Sequence, residues 1–201
     1  PLSASVKKQV EHWEAFFNGQ SLKSQLVNRY LYEHLFLANL YFPESDTPNQ
    51  FFKLVRSRTA PGKPIEMIAT RRVYDDPKGV VYYRLQAVTE TTVNKTHQPY
   101  RLDSQREKFW NSIFYEVDYR VTERVGYDIK ESSNPFKTFQ QLPVQSRYRF
   151  LLEEAEYSIM NFIKGPVCRG QVALDVIQDH FWVVFANPDV TTEENSAYIE
   201  K

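Results

Sequence analysis

The sequence predicts an α+β fold that is mostly helical, with a small antiparallel β-meander in the middle. Apolar residues recur at spacings of three and four in the first third of the chain and again after residue 103. Between these regions, three segments rich in β-branched and aromatic residues are separated by short turn-forming stretches. The chain has 201 residues, of which 42% are hydrophobic, and this is enough for one domain with a buried core.

The first two predicted elements are helices. The first is indicated by the spacing of its apolar residues, which are Val6, Val10, Trp13, Phe16 and Phe17. Asn18 and Gly19 end this helix. The second helix begins after the N-cap residue Ser21 and continues to Phe42, where Pro43 stops it. Because its sequence is apolar on almost every side from Tyr30 onward, we expect this helix to be central.

The predicted meander consists of residues 51–59, 65–72 and 80–92. The connections between them are short and rich in Pro and Gly, so neighbouring strands must be antiparallel. If the first hairpin is centred near Gly62, Arg58 faces Glu66 across the two strands.

Helices return after the meander. One follows Asp103, a second spans residues 146–164, and a third spans residues 169–185, with residues 119–143 predicted as a loop. Residues 1–188 are predicted to form a single domain, and residues 189–201 an acidic tail. Because the chain begins with Pro rather than Met, we expect this domain to be an internal part of a larger protein.

The composition excludes several classes of function. Basic and acidic residues number 25 each, and this zero net charge argues against nucleic acid as a partner. Cys168 is the only cysteine, so the chain contains no internal disulfide and no CxxC or CxxCH motif. The HExxH, GxSxG, P-loop and GxGxxG patterns are also absent. No stretch has the ~18 consecutive apolar residues of a membrane helix, and no signal peptide is visible.

Two residues of the last predicted helix and the cysteine that precedes it are candidate catalytic residues. Arg169 and His180 are eleven positions apart, which places them about 20° from each other on the apolar side of this helix. There they would bind a substrate headgroup or a metal centre supplied from outside the chain; alternatively, the helix start and the core satisfy them. Cys168 precedes the helix, where a thiol is more acidic, but with no histidine on its side of the helix a structural role is the alternative.

Basic residues are concentrated between positions 53 and 72. Six cations face one acid, Glu66, and they are Lys53, Arg56, Arg58, Lys63, Arg71 and Arg72. Arg56 and Arg58 share a strand face, and clustered arginines can bind phosphate in a bidentate manner. The alternative is a solvated edge whose cations pair with neighbouring acidic residues.

Three stretches resemble the fatty acid cis/trans isomerase family of Gram-negative bacteria. They are FIKGPVCRGQVALDVIQDHFWVVFANPD (162–189), SRYRFLLEEAEYSIM (146–160) and the segment RSRT…IATRRVYDDP (56–77). The resemblance implies a periplasmic isomerase that converts cis-unsaturated acyl chains of membrane phospholipids to trans and carries a c-type haem. Because this chain cannot attach haem covalently, the haem belongs to the remainder of the parent protein, and the chain alone is expected to be inactive.

The family motif provides no established catalytic residue to carry over, so the roles of the candidate residues are hypotheses drawn from this sequence. Arg56, Arg58, Arg71 and Arg72 become predicted contacts to lipid phosphate, and His34 or His180 the predicted distal haem ligand. No metal site is predicted from the residues of this chain alone. The expected partners are membrane phospholipid and the haem-bearing remainder. The alternative function is a non-catalytic module that binds lipid or protein through the basic strand patch, and a groove lined by Arg169 or His180 would favour the enzyme instead.

Overall fold

The fold begins with two helices that are joined by a short turn. The computed structural model describes residues 2–90, 97–155 and 157. Helix α1 spans Ala4–Phe17 and helix α2 spans Leu22–Leu35. The side chain of Ser21 accepts a hydrogen bond from the Ser24 N–H, which confirms the predicted N-cap of α2. The predicted end of α1 at Asn18 is confirmed as well.

A four-stranded sheet follows within the described part of the chain. Its strands are β1 (Asn39–Tyr41), β2 (Phe51–Ser57), β3 (Tyr82–Ala87) and β4 (Pro99–Arg101). Their order across the sheet is β3-β2-β1-β4. Strand β2 is antiparallel to β1 and β3, whereas β1 and β4 are parallel. The α+β class is therefore confirmed, but the sheet is mixed and not purely antiparallel.

Helix α2 ends at Leu35, so the prediction that it continues to Phe42 was wrong. Residues 39–41 form β1, which pairs with β2 on one side and β4 on the other. The Asn39 N–H donates to the Gln98 carbonyl at 2.7 Å, and Lys53 Nζ donates to the Leu37 carbonyl at 2.7 Å. A short apolar run can be buried as a helix or as a strand, and here the two neighbouring strands decide the outcome.

The predicted middle strand of the meander does not form. Strands β2 and β3 pair directly with each other, and residues 65–72 make only an isolated bridge between Met67 and Ser57. The predicted register is nevertheless confirmed, because the Arg58 N–H donates to the Glu66 carbonyl at 2.9 Å. Gly62 lies at the centre of this turn with a φ of 84°, a conformation that favours glycine.

The segment between β2 and β3, residues 58–81, is called the excursion here. Arginine side chains hold it in place, and strand pairing does not. Arg56, Arg58 and Arg84 together donate to seven backbone carbonyls of the described chain, which are those of Thr59, Ala60, Lys63, Asp75, Pro77, Lys78 and Val80. A guanidinium group has five N–H donors in a rigid fork, so one side chain can satisfy several carbonyls. The excursion is therefore ordered by side chain–backbone bonds.

Helix α1 covers the outer edge of the sheet. Asn18 Nδ2 donates to the Tyr83 carbonyl at 2.8 Å, and Asn18 Oδ1 accepts from the Tyr83 N–H at 3.0 Å. One turn earlier, Glu14 Oε1 accepts from the Leu85 N–H at 2.9 Å, and the same carboxylate pairs with Arg84. Because β3 is an edge strand, these bonds satisfy backbone groups that would otherwise be free to pair with another chain.

The remaining described elements are helical. Helix α3 (Ser104–Trp110) continues into a π-helical turn (Asn111–Tyr115), as predicted after Asp103, which caps α3. Two short helices, α4 (Ile129–Ser132) and α5 (Pro135–Thr138), lie within the predicted loop. Helix α6 (Val144–Glu153) confirms the start of the predicted helix 146–164. The end of that helix, the helix predicted over 169–185 and the tail lie outside the described residues.

The core is rich in aromatic side chains from α1, α2, α3 and α6. Trp13 and Trp110 meet edge to face with ring centroids 5.8 Å apart, and both are almost fully buried. Tyr30 of α2 packs against Phe150 of α6 at 5.1 Å. This confirms a central position for the apolar part of α2. Within the described ranges, no helix is both long enough and apolar enough to cross a membrane.

Candidate functional site

A groove of about 570 Å³ is lined by three segments that are far apart in the sequence. Its floor is the side of α2 that carries Leu22, Leu26 and Arg29, and the α1–α2 turn (17–20) closes one end. The walls are residues 76–83, apart from Lys78, and residues 124–127. A cavity of roughly 300–1,000 Å³ is typical of sites for small organic ligands.

The wall at residues 76–80 is held in an unusual conformation. Lys78 and Gly79 have φ values of 52° and 72°, which are left-handed and costly for lysine. The guanidinium group of Arg58 donates to the carbonyls of Pro77, Lys78 and Val80 and so fixes this wall from behind. The conformation of the wall therefore depends on an arginine that lies outside the groove lining.

Arg29 is the charged residue of the groove floor. It is 4% exposed, and its Nε donates to Glu33 Oε1 at 2.8 Å. Its Nη1 donates to the Gly126 carbonyl at 2.6 Å, and the ring of Tyr127 covers the guanidinium group with its centroid 3.9 Å from Cζ. Arg29 thus joins α2 to the wall formed by residues 124–127.

Two polar atoms of the floor have no hydrogen-bond partner among the described residues. They are Arg29 Nη2, a donor, and Asn28 Oδ1, an acceptor, and both are buried. The other group of the Asn28 amide, Nδ2, donates to the Phe16 carbonyl at 3.1 Å. Buried polar groups are almost always paired, and a pair of unpaired atoms beside a groove indicates a place for a polar ligand or water.

The cluster beneath the floor carries an excess of positive charge. Arg56 is 2% exposed and lies close to Tyr32, with Cζ 5.3 Å from the ring centroid. Glu33 interacts with both Arg29 and Arg56 and is their shared carboxylate in the described structure. Burial raises the pKa of Glu33, against the opposing influence of Arg29 and Arg56. Burial also raises the pKa of Tyr32, so its hydroxyl stays neutral.

The rim of the groove combines one more arginine with apolar side chains. Arg124 is exposed, and its Nε donates to Gln25 Oε1 at 2.7 Å. Val80 and Leu22 are exposed by 62% and 38% respectively, which is high for aliphatic side chains. The groove is therefore amphipathic, with guanidinium groups on the floor and rim and aliphatic side chains at its mouth.

The described lining offers groups for binding and none of the usual pairs for nucleophilic catalysis. It contains neither histidine, cysteine nor serine, and Asp76 is its acidic residue. Asp76 accepts a hydrogen bond from the Lys78 N–H and so belongs to the wall turn. The arrangement can bind and orient an amphipathic molecule without attacking it.

The structure places Arg56 and Arg58 within the protein framework. Arg56 Nη1 donates to the Asp75 carbonyl at 3.0 Å and Nη2 to Thr70 Oγ1 at 2.5 Å. Arg56 is buried and is not among the residues that line the groove. Arg58 donates to three carbonyls, as described above. Arg56 lies in β2 and Arg58 directly follows this strand, but their side chains bind different parts of the excursion.

Arg71 and Arg72 are more accessible members of the predicted phosphate site. Arg72 pairs with Asp75 through Nε and Oδ1 at 2.8 Å, whereas Arg71 is exposed. The alternative prediction of pairing with neighbouring acids thus describes Arg72. The lipid-phosphate role itself stays a prediction for all four arginines.

His34 lies in the core beside α6. Its Nδ1 donates to the Tyr30 carbonyl at 2.7 Å, and its ring packs against Tyr30 at 4.2 Å and Phe150 at 5.2 Å. Burial lowers the pKa of His34, so the neutral imidazole is favoured. Cys168, Arg169 and His180 lie outside the described residues.

Arg29, Asn28, Arg124 and Tyr127 were missed by the sequence reasoning. One signal was present, because Arg29 and Glu33 are four residues apart on a helix that becomes apolar from Tyr30 onward. A charged pair on such a helix indicates a buried polar site. Arg124 and Tyr127 gave no comparable signal, since they reach the groove from about 95 residues further along the chain.

Comparison with models of known protein families gives a match. The family model described as fatty acid cis/trans isomerase (CTI) matches residues 1–201, which is the whole chain. Neither the curated proteins nor the solved structures give a significant match.

Proposed function

The chain belongs to the fatty acid cis/trans isomerase family, and from that premise we propose that it forms the lipid-binding part of a periplasmic enzyme. This enzyme converts cis-unsaturated acyl chains of membrane phospholipids to their trans forms. The observation that carries the proposal is the family match over all 201 residues. The amphipathic groove supports it, because an acyl lipid needs both an apolar surface and polar contacts for its headgroup.

The proposed cofactor is a c-type haem held by the remainder of the parent protein. The chain has one cysteine, so it cannot supply the cysteine pair that attaches such a haem. No cluster of three or more histidine, cysteine or acidic side chains occurs in residues 2–90, 97–155 and 157. When bound, a haem iron supplies withdrawal of electron density from the double bond.

A histidine of this chain would hold that haem as one ligand to its iron, and His34 has the chemistry for this role. In His34 the Nδ1–H bond to the Tyr30 carbonyl leaves Nε2 as the unprotonated nitrogen, which is the form that binds a metal. We propose His34 or His180 for this position. The expected signature is a change in the haem Soret spectrum of the complete protein when His34 is replaced by phenylalanine and His180 by glutamine. An unchanged spectrum in both variants would exclude the assignment.

The groove would bind and position the acyl chain, and its residues would take no part in the isomerisation step. Its aliphatic mouth, at Leu22 and Val80, would receive the acyl chain, and the wall at residues 124–127 would separate it from bulk water. Correct placement of a reacting group can lower a barrier by several kcal/mol, on the order of 7–11 in the best cases. A domain with this role needs no nucleophile of its own.

The test is the trans-to-cis ratio of membrane fatty acids, measured by gas chromatography. A host without the activity would produce the complete parent protein, a version with Arg169 and His180 replaced by glutamine, and a version with Val80→Asp. We expect trans fatty acids from the parent protein and a strong decrease in both variants. An exposed-residue control, Arg149→Gln, lies outside the groove and should retain activity.

The alternative function, a non-catalytic lipid-binding module, is favoured by the lack of a nucleophile and base in the described lining. The same experiment separates the two. If the parent protein produces no trans fatty acids, the isomerase proposal fails and the module remains. If trans fatty acids form and persist in the Arg169 and His180 variant, those residues are structural.

A further inference from the structure

We propose that the groove contains an oxyanion site, formed by Arg29 and Arg124, for the phosphate or carboxylate group of an acyl lipid. This deepens the proposed function and rests on it for the acyl part of the ligand. The assignment differs from the phosphate contacts predicted on the basic segment, since neither arginine belongs to residues 53–72. Four observations lead to it.

The first observation concerns the hydrogen bonds of Arg29. Its Nε is used by Glu33 and its Nη1 by the carbonyls of residues 125 and 126, at 3.4 and 2.6 Å. Its Nη2 carries two N–H donors and has no partner in the described part of the chain. Leaving a buried charged donor unpaired is costly, and an oxyanion is the acceptor that best matches a guanidinium group.

The second observation is the charge of the surrounding cluster. The two buried guanidinium groups of Arg29 and Arg56 share the carboxyl group of Glu33. A buried excess of positive charge is unfavourable in a medium of low dielectric constant. A bound anion would neutralise it, whereas a neutral ligand would not. The cluster therefore favours an anionic group at the groove floor.

The third observation is the position of Arg124. Its Nε bond to Gln25 fixes it over α2, and Gln25 and Arg29 are one helical turn apart on that helix. Arg124 and Arg29 both line the groove, and a phosphate or carboxylate can accept hydrogen bonds from two guanidinium groups at once. The site thus has a buried guanidinium group below and an exposed one above.

The fourth observation is the aliphatic mouth. Val80 and Leu22 are well exposed beside these arginines. A free inorganic anion would gain nothing from them, whereas the chain of an amphiphile would bury them, at about 25 cal/mol for each Å² removed from water. The arrangement therefore fits an amphiphile with one oxyanionic end.

The experiment is a calorimetric titration of the purified 201-residue chain with four probes. The probes are decyl phosphate and decanoate below their micelle concentrations, with decanol as the uncharged chain and inorganic phosphate as the chain-free anion. The key variant is Arg124→Gln, because Arg124 is exposed and its replacement should leave the fold intact. Arg149→Gln is the matched control on α6, and Arg71→Gln tests the basic segment.

We expect Arg124→Gln to weaken binding of decyl phosphate or decanoate about tenfold, as for the loss of one charge-assisted hydrogen bond. Arg149→Gln and Arg71→Gln should bind as the unmodified chain does. Comparison of the phosphate with the carboxylate probe identifies the natural headgroup. Val80→Asp should weaken binding of all three decyl probes but not of inorganic phosphate.

The proposal is overturned if Arg124→Gln binds both anionic amphiphiles normally, or if Arg71→Gln loses affinity in its place. It is also overturned if inorganic phosphate binds as tightly as decyl phosphate, since the groove would then recognise no amphiphile. These outcomes are independent of the isomerase activity. Binding without trans fatty acids in cells would contradict only the proposed function, and trans fatty acids without binding would contradict only this site.

Discussion

Replacing Arg58 by methionine should lower the free energy of unfolding of the protein, and this effect requires no bound ligand. Methionine keeps much of the side-chain volume but removes all donors to the carbonyls of Pro77, Lys78 and Val80. Pro77 is buried, whereas Lys78 and Val80 are exposed. Only the Pro77 carbonyl would be left both buried and without its donor.

The expected loss can be worked out from these three acceptors. A buried acceptor without its donor costs about 1–3 kcal/mol, and each exposed carbonyl that exchanges a guanidinium group for water costs about 0.5 kcal/mol. The free energy of unfolding should therefore fall by about 2–4 kcal/mol. For a chain of this length that corresponds to a melting temperature lower by about 4–16 °C.

Urea denaturation followed by tryptophan fluorescence measures this change. Arg71→Met is the matched control, because Arg71 belongs to the same predicted basic segment but is exposed. Its free energy of unfolding should change by less than about 0.5 kcal/mol. If the two variants are equally stable, Arg58 does not hold the groove wall. The phosphate role predicted from the sequence would then be the better account of Arg58.

Three further predictions concern other parts of the structure. Asn18→Ala removes both bonds to the Tyr83 backbone and should lower the free energy of unfolding by about 2 kcal/mol in urea denaturation; an unchanged midpoint would show that water replaces the amide. Lys78→Gly relieves a left-handed backbone at φ 52° and should raise the free energy of unfolding by about 0.5–1 kcal/mol, whereas a decrease would show that Lys78 is not strained. Glu154→Gln tests a pH dependence. Burial raises the pKa of the Glu154 carboxyl group and Glu153 raises it further, whereas Arg106 and the hydrogen bond from Tyr100 lower it. The contribution of Glu154 to stability is therefore present below its unfolded pKa and is lost as the pH rises through its folded pKa. The stability of the unmodified chain relative to this variant, compared between pH 4 and pH 8, should therefore decrease as pH rises, and a constant difference would refute the assignment.

The helical parts of the fold could be predicted because their signals are local. Ser21 caps α2 through its own side chain, and Asp103 caps α3 in the same way. The spacing of Trp13 and Phe17 in α1 reports the buried face directly. Each of these signals lies within a few residues of the element that it specifies.

The sheet was less predictable because its partners are distant in sequence. Residues 39–41 have the composition of the helix before them, and only their pairing with β2 and β4 makes them a strand. Likewise, residues 65–72 have strand-like composition but lie where Arg56 and Arg58 bind the excursion. No window of sequence contains that information.

The candidate site shows the same limit. Its floor, walls and rim come from the α1–α2 turn, from residues 76–83 and from residues 124–127. Basic residues 53–72 formed the most visible cluster in the sequence, yet Arg56 and Arg58 act mainly on their own backbone. Arg29 belongs to no cluster of basic residues in the sequence, and only its spacing from Glu33 indicates a buried polar site. Density of charge along the chain was thus a poor guide to where the charge is available.

The availability of donors separates structural arginines from the candidate binding arginine. Arg84 is buried like Arg29, but it pairs with Glu14 and donates to three carbonyls through Nη1 and Nη2. Both of its terminal nitrogens therefore have partners in the described structure. Arg29 has the same burial and a carboxylate partner, yet its Nη2 remains unpaired beside a groove. Leaving such a donor unpaired costs free energy. A ligand that supplies the acceptor therefore gains the free energy of this hydrogen bond on binding. Lipid recognition is therefore expected at Arg29, a buried arginine that lines the groove and whose Nη2 has no hydrogen-bond partner among the described residues.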